Sequence, residues 1–267
     1  MTQLSTEQQG AALLCRFSNP PEGYMDSDTI PELEALLDRV EQDERIRVVI
    51  FTGGLPGIFI RHYSVVELER LSRNLRERGF ELDPEHPAPE SALHAAFRRV
   101  SELPKPTIAA INGTAMGGGF EFALCCDIRI SEDGPYSLGL PEINIGILPG
   151  AGGTQKLARL VGTARAMEMI LRGRTVTPAE ALDLGMVHEM APAGLVVDRA
   201  LEYASELGRK SPLATRHIKE LVRTATDMSI NDGLQKERTL FLDLLVSDEA
   251  LDLMSQMNQG VRDIRDP

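Results

Sequence analysis

The sequence predicts an α/β protein with mainly parallel sheets and a helical C-terminal part. Two observations carry that prediction. Short β-branched runs closed by glycine, such as IRVVIFTGG (46–54) and KPTIAAING (105–113), alternate with segments of helical spacing. From Leu195 onward the helical pattern continues almost to the end, so 1–194 reads as an α/β core and 195–267 as a helical C-terminal region. Pattern alone does not choose among α/β topologies.

In chain order, AALLCRF (11–17) is expected as a first strand and NPPEGYMDSD (19–28) as a turn. The next segment places Leu33, Leu36, Leu37 and Val40 on one helical face, with Pro31 in the first turn, where its missing N–H does no harm. Residues 46–54 form a buried strand, followed by a loop leading into a helix near Ser64. Residues 69–97 are rich in Arg and Glu around DPEHPAPE and predict a solvated helix, a proline-broken loop with a mobile tip, and another helix. A strand at 105–113 leads through glycines into a helix, and DIRIS (127–131) is a strand. The stretch from Tyr136 to Gly162 reads as strand, loop and helix. Short helices follow at 163–172 and 178–183, then a turn with a brief strand at GMVHEMAP.

The chain has 267 residues with 42% hydrophobic and 25% charged content, ample for a core. A net charge of −12 with no basic stripe argues against nucleic acid and against an anionic membrane surface. No run of about 18 apolar residues predicts a transmembrane helix. The polar N-terminus resembles neither a signal peptide nor an Arg-rich transit peptide, so the expected location is cytoplasmic. Cys15, Cys125 and Cys126 make a poor disulfide framework and read as buried thiols; no cysteine or histidine spacing suits a metal.

One carboxylate stands out. Glu121 follows Gly117, Gly118 and Gly119 and is flanked by Phe120, Phe122, Ala123 and Leu124. On a helix starting near Gly118 its neighbours are small or apolar, so burial would raise its pKa unless hydrogen bonds or charges compensate. It either serves the helix N-terminus or reaches the surface, or it does chemistry. Three glycines also let backbone approach a ligand, and no P-loop Lys follows them. GAGGT (150–154) lacks a dinucleotide fingerprint and reads as a glycine-lined helix entry. Glu142, 21 residues after Glu121, sits in the apolar loop GLPEINIGILPG. A helix, strand and turn fit between the two, so both acids could face one cavity and divide acid and base roles.

The segments IRVVIFTG, KPTIAAINGTAMGGGFEFALCCDIRI, LPEINIGILPGAGGTQKLARLVG, RTVTPAEALDLGMVHEM and KSPLATRHIKELV together resemble the crotonase (enoyl-CoA hydratase/isomerase) superfamily over most of the chain. The resemblance implies a crotonase-like spiral of ββα units with a helical C-terminal trimerisation region, giving a homotrimer or a dimer of trimers. It implies an acyl-CoA thioester substrate and no metal or redox cofactor, coenzyme A being part of the substrate. By position, the backbone N–H groups of Tyr63 and Gly118 form the oxyanion hole. Glu121 takes a proton from water attacking C3 of a trans-2-enoyl-CoA, Glu142 gives one to C2, and Gly150 helps place the water or an acid through its N–H. The implied activity is enoyl-CoA hydratase, a hydro-lyase of fatty acid metabolism.

Arg61-His62-Tyr63-Ser64 departs from the small residues usual around the first oxyanion donor. Either this loop is repacked with its side chains outward, or it alters the acyl pocket. Arg61, His62 and Gly117 are therefore candidates for contacting substrate or coenzyme A, and His62 is also weighed as a base. His86, His94, His188 and His217 read as surface or packing residues. The alternatives are a Δ3,Δ2-enoyl-CoA isomerase or another crotonase-type lyase or hydrolase. Outside catalysis, the alternative is an acyl-CoA-binding or RNA-associated relative, against which both glutamates and the acidic charge weigh.

Overall fold

The computed structural model describes residues 2–81, 83 and 85–265. Strands β1 (Leu4–Gln9) and β2 (Ala12–Phe17) form an antiparallel hairpin, followed by α1 (Thr29–Gln42). Three ββα turns come next. The first is β3 (Val48–Gly53), β4 (Gly57–Ile60) and α2 (Val65–Glu77), trailed by α3 (Ala92–Glu102). The second is β5 (Thr107–Ile111), β6 (Gly113–Met116) and α4 (Gly118–Ala123). The third is β7 (Ile128–Glu132), β8 (Leu138–Gly139), a 3-10 turn at Glu142–Ile145, and α5 (Gly153–Val161). After α6 (Thr163–Leu171), β9 (Thr175–Val176), α7 (Pro178–Asp183) and β10 (Glu189–Ala191), the chain is helical: α8 (Val196–Leu207), α9 (Pro212–Thr224), α10 (Ile230–Leu245) and α11 (Asp248–Asn258).

Each turn sends its first strand to one sheet and its second to another. The larger sheet runs β1-β2-β3-β5-β7-β10, parallel except for the first hairpin; the smaller runs β4-β6-β8-β9. This is the ββα spiral that the family resemblance implies. The corners between sheets are glycine-lined because the backbones nearly touch there. A Cβ on Gly53 would lie 1.8 Å from the Ile58 carbonyl oxygen, and one on Gly113 would lie 2.0 Å from the carbonyl carbon of Gly57. Asn112 bridges one corner, accepting from the Gly53 N–H (2.9 Å) and donating to the Gly53 carbonyl (3.0 Å).

Strands β2, β3 and β5 of the larger sheet are apolar on both faces, as expected of a covered parallel sheet. Leu13, Val49, Phe51 and Ala109 face the main core. Leu14, Val48, Ile50 and Ala110 face α8, whose Val196, Ala200 and Ala204 cover that side. Four strands fall where the sequence predicts none, among them the two-residue β9. β1 is an edge strand with only Leu4 buried, so it lacks an alternating pattern. β4 and β6 are four residues long and open on glycine, too short for a periodic signal.

Candidate active site

Helix α4 positions the first acid. Its N-cap, Gly117, has φ +50°, a backbone shape that favours glycine. Phe122 packs edge-on against Phe17 (5.0 Å between centroids), Phe51 (5.0 Å) and Phe97 (5.4 Å). That cluster fixes the helix with Glu121 turned toward a large cavity of about 1310 Å³ with predominantly apolar walls. Glu121 is only 2% exposed. Its Oε1 accepts the N–H groups of Ala151 (2.7 Å) and Gly153 (2.8 Å) at the entry to α5. Both bonds fall on Oε1, which leaves Oε2 for another partner. Burial pushes the Glu121 carboxyl up, while the Gly153 and Ala151 amides and the charge of His94 pull it back.

Glu142 opens the 3-10 turn and lines the same cavity. Neither of its carboxylate oxygens has a hydrogen-bond partner, although both are buried. Burial is the main reason its carboxyl is pushed up to about 7, with the neighbouring Glu121 charge adding to the effect. Two carboxylates thus meet one cavity in different environments: one held by amides, one held by nothing.

The glycine triplet and the 61–64 loop meet beside them. The Met116 N–H donates to the Arg61 carbonyl (3.0 Å), and the Gly117 N–H to the Gly139 carbonyl (2.9 Å). The Ser64 N–H donates to Met25, and the Met25 N–H to His62. Among the described residues, the N–H groups of Tyr63 and Gly118 have no partner. The two positions are in contact: a Cβ on Gly118 would lie 3.1 Å from Tyr63 Cβ and 3.3 Å from Tyr63 N. Gly119 is equally constrained, since a Cβ there would fall 1.9 Å from the Ile60 carbonyl oxygen.

The unusual loop divides its side chains. Tyr63 lines the cavity and its hydroxyl donates to Glu67 (2.8 Å) on α2; burial and that carboxylate push the phenol up. His62 also lines the cavity, stacks on Tyr24 (4.4 Å) and turns Nδ1 to the Tyr63 carbonyl (2.7 Å). Arg61 does not reach the cavity; its guanidinium pairs with Glu22 at 2.8 Å. Gly117 and Gly150 line the wall, so the cavity gathers Glu121, Glu142, Tyr63, Gly118, Gly117, His62 and Gly150.

Sequence reasoning missed three members. Ala151 and Gly153 supply the amides that hold Glu121, but GAGGT carries no mark of which acid its N–H groups will meet. His94, read as a surface or packing residue, is exposed yet lines the cavity with Nε2 2.5 Å from the Gly150 carbonyl oxygen. Its signal is absent from the sequence because the contact spans 56 residues.

The comparisons with known proteins point to one family. A family model described as enoyl-CoA hydratase/isomerase matches residues 7–257. A probable enoyl-CoA hydratase of Bacillus subtilis is 36% identical over 237 residues, covering 87% of this chain and 86% of its own length. A short-chain-enoyl-CoA hydratase of Clostridium acetobutylicum is 30% identical, covering 93% and 92%. Among solved structures, an enoyl-CoA hydratase from Bacillus anthracis superposes with a TM-score of 0.85 at 29% identity, over 97% of each chain.

Proposed function

The chain belongs to the enoyl-CoA hydratase/isomerase family, and from that membership and the chemistry of its cavity we propose that it is an enoyl-CoA hydratase. It adds water syn across the double bond of a trans-2-enoyl-CoA to give a 3-hydroxyacyl-CoA. The observation that carries this reading is the pair of unlike carboxylates, Glu121 tethered and Glu142 unpartnered, on one apolar cavity.

The thioester oxygen binds between the unpaired amides of Tyr63 and Gly118. Donors aimed at a developing oxyanion stabilise the enolate more than the ground state, and losing one typically costs about 10²–10³ in rate. α4 has six residues, so its dipole adds little beside those two direct donors. Oε2 of Glu121 accepts a proton from water as the oxygen attacks C3, while the bonds to Oε1 keep the carboxylate oriented. Glu142 delivers its proton to C2. Burial suits it to that task, because an acid held near neutrality still carries its proton at working pH. Gly150, on the same wall, helps place the water through its N–H.

Coenzyme A enters as part of the substrate, and we assign no metal or redox cofactor, since two amides and two carboxyls account for every proton and charge. Tyr63 and His62 shape the acyl and thioester end of the site. No helix among the described residues is long and apolar enough to cross a membrane. A homotrimer or dimer of trimers is supported by the apolar side chains that α9–α11 leave exposed, among them Val222, Phe241 and Leu242.

Incubation with short- and medium-chain trans-2-enoyl-CoA tests the activity through loss of the conjugated-thioester absorbance. Hydration is expected, and Glu121→Gln and Glu142→Gln are each expected to lower kcat by about 10²–10⁴. No hydration at any chain length rejects the proposal. Δ3-to-Δ2 isomerisation that survives in Glu121→Gln, with hydration absent from the wild type, replaces it with the isomerase reading.

A further inference from the structure

His94 is joined to the proposed base through a single peptide group. Its Nε2 lies 2.5 Å from the Gly150 carbonyl oxygen, which can only accept, so Nε2 carries the hydrogen. Nδ1 faces the Ser91 hydroxyl at 2.6 Å. Ser91 is also the N-cap of α3, accepting from the His94 N–H at 3.4 Å, so the helix start fixes where the imidazole sits. The Gly150 carbonyl belongs to the same peptide as the Ala151 N–H, which donates to Glu121 Oε1 at 2.7 Å. A trans peptide points its C=O and N–H to opposite sides, so His94 grips one end of the plane and Glu121 the other. The space beside Gly150 is open, since a Cβ there would meet only the Leu148 carbonyl oxygen, at 3.9 Å.

We propose that His94 is a positioning residue for hydration. By donating to the Gly150 carbonyl it orients and polarises the Gly150–Ala151 peptide, and so sets the grip of the Ala151 N–H on Glu121. Donation to a carbonyl strengthens the N–H of the same amide as a donor. The proposal rests on the reading of Glu121 as the base. The second bond, from Gly153, does not pass through His94 and keeps the carboxylate in place when the imidazole is removed. The titratable groups facing Glu121 are His94 from α3, Glu142 from the 3-10 turn and Cys125, just past the end of α4; Lys156 on α5 is turned to Ser101.

The test compares His94→Ala, His94→Gln and His94→Asn with the wild type in two measurements. One is the pH profile of kcat on a trans-2-enoyl-CoA. The other is the titration of the Glu121 carboxyl carbon by NMR of ¹³C-glutamate-labelled protein, assigned with Glu121→Gln. Gln places an amide N–H near the position of Nε2, whereas Asn places it near Nδ1. In His94→Ala, kcat is expected to fall about tenfold with KM little changed, the size expected for one lost hydrogen bond. The Glu121 titration and the acid limb of kcat are expected to move to higher pH. His94→Gln is expected to restore both and His94→Asn neither. An unmoved Glu121 titration in His94→Ala overturns the proposal. So does a His94→Gln protein that titrates like His94→Ala, which assigns the effect to the imidazole's charge, and so does equal rescue by Asn. A wild type that hydrates nothing sinks the hydratase reading alone, because the carboxyl titration still decides whether His94 governs Glu121.

Discussion

Glu142 shows most clearly how an environment that suits the proposed acid comes at a cost to the fold. Its carboxyl rises from an ordinary value of 4.5 to about 7, so the folded chain holds the proton more tightly than the unfolded one. Stability is therefore unpenalised below about pH 4.5, and is lost as pH rises from there through about 7, where the buried group must ionise. Glu142→Gln is predicted to melt above the wild type at about pH 8 and level with it at about pH 4, because the amide never ionises. Equal melting temperatures at both pH values would show that Glu142 is solvated as well in the fold as outside it. The same residue shapes the rate. In the proposed mechanism Glu142 is protonated and Glu121 ionised, so kcat is expected to be bell-shaped, falling above about pH 7 as Glu142 loses its proton. It also falls on the acid side as Glu121 gains one; a profile flat across that range contradicts the division of roles. An acid among glycines and phenylalanines marks Glu121 in the bare sequence. The donors that hold its Oε1 do not announce themselves, since any backbone N–H can serve and only folding selects those of Ala151 and Gly153.

At the scale of elements, α4 is six residues long and cannot stand by helix propensity. Tertiary packing of Phe122 against Phe17, Phe51 and Phe97 holds it. Phe122→Ala is predicted to destabilise the fold by about 3–5 kcal/mol, read by urea denaturation, and to lower kcat as Glu121 loses its bearing. A loss below about 1 kcal/mol would mean that the cluster closes over the gap. α2 is the opposite kind of element: none of its residues is buried, and Leu68 and Leu71 face the cavity. Its helical pattern was legible from Ser64 onward, whereas β4 and β6, just as necessary for bringing Tyr63 to Gly118, were not. A four-residue strand has no period to read, and its glycines look like a loop until the sheet corner they permit is seen.

Over the whole molecule, α9–α11 bury almost nothing within the chain; of their residues only His217 is buried. Phe241 is 57% exposed and Val246 81%. Apolar surface on this scale marks a contact, and a trimer would cover it. Sedimentation of the wild type is expected to give a trimer or hexamer, and Phe241→Asp is expected to shift it toward monomer; a monomeric wild type at micromolar concentration removes the oligomer from the account. The central claim is that two glutamates work from one cavity on an enolate held by the Tyr63 and Gly118 amides. NMR of the product made from trans-2-enoyl-CoA in deuterium oxide tests it most directly. A 3-hydroxyacyl-CoA carrying one deuterium at C2, syn to the new hydroxyl, is the predicted result; deuterium anti to the hydroxyl, or substrate recovered without water added, contradicts it.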